Sequence, residues 1–377
     1  MNIESIVLRQ IQVKLKAPFE TSFGKTWERR VVLVEVIADG LSGWGEVTAG
    51  EGPFYNSETN DTSWLILEKF IVPLVSAAKI SSPSDIPDIL RVIRGHGMAK
   101  AALENALWDI EAQRRQVSLA KLLGGARAEI NCGVSIGIQD SPERLVAAVE
   151  REVGSGYQRI KIKIKPQKDL EYMAAVRKRF PEILLSVDAN SAYQLQEVQH
   201  LKKFDDYALL MMEQPLSWDD MYDHSQLQPQ IKTAICLDES IHNSAHAQAA
   251  IEMGACRIIN VKLGRVGGHS EARRVEEVSR ARNIPVWCGG MLETGVGRAH
   301  NIAMSSLAGF VLPGDVSASQ RYWEEDIIEP EVQVSPAGTI HVPTAPGLGY
   351  AVRAKRIEQL TVRAETFKAT NAQVSVV

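Results

Sequence analysis

Five ionisable residues of the 377-residue chain fall in step: Lys163, Asp188, Glu213, Asp238 and Lys262 are spaced by 25, 25, 25 and 24 positions. Each closes a short apolar run: RIKIK, LLSVD, LLMME, AICLD and RIINVK. A lone acid after a strand is ordinarily a helix cap or a solvated loop residue, whereas five groups in phase imply successive structural units that carry them to one place. Three carboxylates brought together repel unless a cation holds them. Oxygen ligands with no His or Cys at matching positions suit a hard ion, Mg2+ before Mn2+, bound by Asp188, Glu213 and Asp238. Lysines on either side of such an ion suit proton abstraction beside a carboxylate, where positive charge stabilises the enolate-like product and an amine takes the proton. A lysine at a strand end can instead form a Schiff base, as in class I aldolases, but that rival leaves the three carboxylates unexplained.

The segment RIKIKIKP, residues 159–166, sharpens the reading. Side chains alternate along a strand, so Lys161, Lys163 and Lys165 share one face and the isoleucines the other. Neighbouring ammonium groups about 7 Å apart at an effective dielectric of about 20 repel by about 2 kcal/mol, so an acidic surface should face them. A divalent ion and a neighbouring ammonium both disfavour a lysine's charged form, which predicts a pKa lowered towards the range useful to a base.

The elements that position these residues follow from the rhythm of the chain. Residues 1 to about 55 alternate like antiparallel strands, interrupted by KAPFETSFGKTW (16–27), whose Phe19, Phe23 and Trp27 suit an irregular lid over an apolar pocket. Residues 99–123 have helical spacing and stop at Gly124 and Gly125. From about 130, eight strand candidates alternate with amphipathic stretches: 130–136, 159–164, 183–188, 208–213, 234–239, 257–262, 285–290 and a weaker one at 309–315. Ser141-Pro142-Glu143 opens the first helix between them. This pattern predicts an α/β barrel with the five charged residues at the C-terminal mouth. An open doubly wound sheet is the alternative, but no strand is followed by GxGxxG. Residues 340–377 return to strand-like and irregular patterns that suit packing back on the N-terminal part.

Composition narrows the partner. A net charge of −4 with no long run of one sign argues against nucleic acid and anionic membrane and for a small molecule. Cys132, Cys236, Cys256 and Cys288 are widely spaced, which suits reduced structural thiols in a cytoplasm. No signal peptide or membrane span is expected. Gly24-Lys25-Thr26 imitates the end of a P-loop without its first glycine and is not read as one, and His242 with His246 lacks the glutamate of a zinc protease and reads as a surface pair.

The motifs SFG, AKAALENALWDIEA, LLGG, RIKIKIKP, SVDAN, MMEQPL, CLDES, NVKLGRVGGH, CGGMLETGVGRAHN and PGDVSASQRYWEEDI span nearly the whole chain. Together they resemble the muconate-lactonizing subgroup of the enolase superfamily, and within it the o-succinylbenzoate synthase / N-succinylamino acid racemase family. The resemblance implies a modified (β/α)7β barrel over residues 126–325. An α+β capping domain would comprise residues 1–125 and be completed by 326–377. It implies Lys161 and Lys163 as the KxK pair, with Lys163 the acid/base, and Lys262 as the opposing lysine. Phe23, Tyr55, Ser135, Gly290, Met291 and Trp323 fall where the family contacts substrate. Arg265 matches an arginine of members that racemise N-succinylamino acids, and Asn190 and Glu239 lie beside ligands as orienting groups. The implied chemistry is Mg2+-dependent dehydration of a cyclohexadiene carboxylate in menaquinone synthesis, together with N-succinylamino acid racemisation. A dedicated N-acylamino acid racemase is the close alternative. A homo-oligomer is also implied. Asp315-Val316-Ser317 departs from the Asp-x-Asp of the related dipeptide epimerases, which argues against dipeptides.

Overall fold

The computed structural model describes residues 1–368. Strands β1 (Ile3–Thr21), β2 (Gly24–Ala38) and β3 (Leu41–Val47) form an antiparallel meander. Of the tail expected to pack back on the N-terminal part, Thr361–Lys368 pairs with β1, whereas Thr339–His341 pairs with Glu129–Asn131 and Ala351–Val352 with Ile328–Glu329. The rest of that expectation, 369–377, lies outside the described residues. Helix α1 (Gly97–Arg114) covers the sheet through Ala102, Leu103, Ala106 and Ile110, which cluster with Ile6, Leu8, Val32 and Val34. Gly43 and Gly45 permit this: a Cβ on Gly45 would lie 1.9 Å from the Ala102 carbonyl oxygen. The helical run expected over 99–123 is divided. Gln116 adopts φ +54, and Ser118 then caps a second helix, α2 (Leu119–Leu123), which Gly124 ends at φ +94.

The expected lid, residues 16–27, is regular rather than irregular. β1 and β2 continue past a bulge between Lys14 and Phe19 into a hairpin tip that pairs Phe19 with Thr26 and Thr21 with Gly24. One extra stretch in one strand hides the alternation from a sequence reading. The tip reaches over the barrel, where the Ser22 hydroxyl donates to the Asn190 carbonyl (3.1 Å).

Seven parallel strands stand side by side in chain order: β4 (Gly133–Ile136), β5 (Arg159–Lys163), β6 (Leu184–Asp188), β7 (Met211–Glu213), β8 (Ile235–Leu237), β9 (Ile258–Val261) and β10 (Val286–Cys288). Helix α3 (Pro142–Gly154) follows β4 with Ser141 as its cap. Residues 309–315 form no eighth strand. Pro313 lacks an N–H and Gly309 and Gly314 are poor strand formers, so the segment closes the gap through isolated bridges, Val286 with Phe310 and Cys132 with Gly314. Ile130 and Asn131 of the 130–136 candidate belong instead to a short strand, Glu129–Asn131, that pairs with Thr339–His341 outside the barrel.

Alternation divides the barrel strands cleanly. Ile160, Ile162, Leu185, Val187, Met212, Leu237, Ile259 and Val261 join the large outer core beneath the helices. Met211, Cys236, Ile258 and Trp287 form a separate inner cluster, which is the floor on which the charged residues stand. All four cysteines are buried and unpaired, and among the described residues no helix is long and apolar enough to cross a membrane.

Candidate active site

Three side chains of β5 point into the barrel and climb from floor to mouth. Arg159 is lowest, its guanidinium 4.7 Å from the Trp287 ring centroid and bonded to the Pro313 carbonyl (3.0 Å) and Asp315 Oδ1 (2.5 Å). Lys161 Nζ comes next, 2.7 Å from Glu213 Oε2, 2.7 Å from Asp315 Oδ2 and 3.2 Å from Asp188 Oδ2. Lys163 Nζ is nearest the mouth, donating to Asp188 Oδ2 (2.6 Å) and Asn190 Oδ1 (2.7 Å). Lys165 lies beyond the strand and faces Glu20 of the hairpin at 3.6 Å. The repulsion within the lysine row is thus met by Asp188, Glu213 and Asp315.

The opposite wall is built by β8 and β9. Lys262 Nζ donates to Asp238 Oδ2 (2.7 Å) and lies 4.2 Å from the Tyr55 ring centroid. Arg265 is fully engaged: it pairs with Asp238 and donates to the Tyr55 hydroxyl (2.8 Å) and to the Ile241 and Asn260 carbonyls (2.7 and 2.6 Å). Asn260 Nδ2 donates to Glu213 Oε1 (2.7 Å). Asn190 joins the two walls, donating to Glu239 Oε1 (2.9 Å) while accepting from Lys163.

Lys161 and Lys262 are surrounded by carboxylates that favour their charged forms. Burial alone would lower both pKa values, but Asp315, Glu213 and Asp188 outweigh it at Lys161, and Asp238 with Tyr55 does so at Lys262, so both are held above the ordinary lysine value. The carboxylates divide. Burial opposes ionisation of Asp188, yet Lys163 and Lys161 bring it down to about 2. Glu213 is pushed up to about 7 by burial and by the charge of Asp188, and Glu239 to about 8 by burial and by Asp238.

Five carboxylates (Asp188, Glu213, Asp238, Glu239 and Asp315) face five cations (Arg159, Lys161, Lys163, Lys262 and Arg265) in this layer, so the fit to a metal rests on ligand chemistry. Asp188, Glu213 and Asp238 are fully buried at the C-terminal ends of three adjacent strands, Asp238 one residue past β8, with Asp188 directly opposite Glu213. The donor set is all oxygen and anionic, which fits a hard divalent cation. The carboxylates turn to the amines, and among the described residues no three His, Cys, Asp or Glu side chains are grouped about one point.

Above the charged layer lies a cavity of about 500 Å³ between the hairpin and the barrel, lined by Phe23, Trp27, Phe54, Tyr55, Met291 and both Lys163 and Lys262. A smaller polar recess of about 50 Å³ continues below it, past Ser135, Lys161 and Arg298. Gly290 lines both. Trp323 and Arg265 line neither: the Trp323 indole donates to the Glu293 carbonyl (3.2 Å). His242 and His246, expected at the surface, instead form a half-buried, edge-on aromatic pair. Sequence reasoning missed Arg159, Asn260 and Asp315 as members of the charged layer. Two-residue alternation back from Lys161 and Lys262 points to the first two, and Asp315 ends the irregular eighth segment.

A family model described as the enolase C-terminal domain-like family matches residues 144–356, and the mandelate racemase / muconate lactonizing enzyme N-terminal domain matches residues 3–124. The chain belongs to this branch of the enolase superfamily. It is 51% identical to an o-succinylbenzoate synthase of Geobacillus kaustophilus, over 98% of this chain and 99% of that one. It is 44% identical to an N-succinylamino acid racemase of an Amycolatopsis species, over 96% and 98% of the two chains. A crystal structure of an enolase superfamily member from Listeria innocua superposes with a TM-score of 0.95 at 42% identity, covering 98% of this chain and all of that one.

Proposed function

We propose that this chain is a Mg2+-dependent o-succinylbenzoate synthase that also racemises N-succinylamino acids. The observation that carries the reading is the placement of Lys163 and Lys262 on opposite walls of one cavity, above Asp188, Glu213 and Asp238. These three carboxylates would hold the ion, which when bound supplies the positive charge that steadies a substrate carboxylate as its α-proton leaves. Lys163, in its neutral form, takes the α-proton of the hydroxycyclohexadiene carboxylate onto Nζ. It then returns that proton to the departing hydroxide, so that water leaves and the ring becomes aromatic. Asn190 fixes the Nζ by accepting one of its hydrogen bonds. Lys262 remains charged during dehydration and faces the ring as a cation.

Racemisation uses the same residues differently. One lysine removes the α-proton from one face and the other delivers a proton to the opposite face, which the two-walled arrangement favours. Activity of the purified protein on both substrates, lost with EDTA and restored by Mg2+, is the expected result. Turnover that survives EDTA and is trapped by borohydride would instead favour a Schiff-base enzyme.

A further inference from the structure

The wall of the cavity formed by Gly290, Met291, Leu292 and Glu293 is a loop after β10, and nearly every polar group that fixes it is a side chain from elsewhere. The Glu293 carbonyl accepts from Arg298 (2.8 Å) and Trp323 (3.2 Å), and Glu293 Oε1 accepts from Asn301 (3.0 Å). Arg29 of β2, itself buried, donates to the Met291 carbonyl and reaches back to the Ala49 carbonyl (2.7 Å). The loop runs directly into helix α4 (Gly295–Ser305), whose cap residue Thr294 does not use its own hydroxyl to cap.

The cap comes from the N-terminal sheet. Glu46 of β3 accepts the Thr294 N–H on Oε1 (3.0 Å), and on Oε2 both the Thr294 hydroxyl (2.5 Å) and the Gly297 N–H (2.9 Å). A Cβ on Gly297 would stand 2.9 Å from Glu46 Oε2, so the glycine admits the carboxylate. Two turns on, His300 Nε2 donates to the Trp44 carbonyl of the same strand (2.7 Å).

We propose that Glu46 and Arg29 are positioning residues that latch the Gly290–Glu293 wall to the N-terminal sheet, and so set how tightly a substrate resting on that wall is held. Glu46 lines neither the cavity nor the recess, whereas Arg29 borders the cavity and reaches the wall through the Met291 carbonyl. A loop tethered at Met291 and again at Thr294 has few conformations left between the tethers. Losing a tether therefore weakens binding of whatever rests on the wall, without altering the lysines or the carboxylates.

The test compares wild type with Glu46→Gln, which leaves one acceptor oxygen for three donors, and with Arg29→Lys, which keeps the charge but shortens the reach. Amide hydrogen exchange of residues 289–297 should quicken by about tenfold or more in Glu46→Gln while β8 and β9 keep their protection. With N-succinylphenylalanine, KM should rise by about tenfold in both variants while kcat and the Mn2+ dissociation constant stay within about twofold of wild type. Unchanged loop exchange in Glu46→Gln would overturn the latch, as would a fall in kcat at constant KM. The kinetic arm rests on the activity proposed above and the exchange arm does not. A wild type without turnover would therefore sink that activity, and the latch would still be decided by exchange.

Discussion

Lys163 and Lys262 differ in what holds them. Lys163 shares its ammonium hydrogens between Asp188 and the neutral Asn190, whereas Lys262 is clamped between Asp238 and the Tyr55 ring. Lys163 moves a proton in both reactions, but Lys262 must cycle its proton only in racemisation. Arginine keeps its charge at any working pH and cannot serve as a base. Lys262→Arg is therefore expected to lower racemisation by about a thousandfold while leaving part of the dehydration, as read by kcat for each substrate. Equal residual rates in the two assays would contradict this division of labour.

Among the elements, α1 shows how burial sets a pH response. Glu104 accepts from the Trp108 indole (3.1 Å) and the Ser270 N–H (3.2 Å), and burial pushes it up to about 7, above those two favourable bonds. An acid whose pKa is raised on folding binds more protons in the native state, so its contribution to stability falls as pH climbs from about 4.5 to about 7 and is flat above. Glu104→Gln keeps an acceptor oxygen and cannot ionise. Its stability relative to wild type, read from urea unfolding at pH 5 and pH 8, should improve at the higher pH by about 3 kcal/mol. A difference independent of pH would show that Glu104 ionises normally. Sequence reading reached the elements through period and phase: the 25-residue step found the charged strand ends, and the apolar alternation found the strands. It failed where the period is broken. The bulge after Lys14 disguised the hairpin, and Pro313 with its flanking glycines turned a strand candidate into an irregular closing segment that carries Asp315. The partners of Arg265 were also beyond reach, because Tyr55 and Asp238 come to it from distant parts of the chain.

At the scale of the whole molecule, one sheet and one barrel contribute different things to a single cavity. The barrel supplies fixed charge on rigid strand ends. The N-terminal sheet supplies the hairpin with Phe23 and Trp27 and the tether to the loop after β10, and the turn following β3 adds Phe54. The claim on which the rest depends is that Lys163 moves the proton next to a substrate carboxylate held in that cavity. It is tested most directly by incubating Mg2+-loaded protein with each enantiomer of N-succinylphenylalanine in turn in D2O and following the α-hydrogen by proton NMR. Both α-signals are expected to disappear with wild type, and that of the enantiomer whose proton faces Lys163 to persist with Lys163→Ala at matched concentration and unchanged thermal stability. Exchange of both enantiomers that continues in Lys163→Ala, or in wild type stripped of divalent ions, would contradict it.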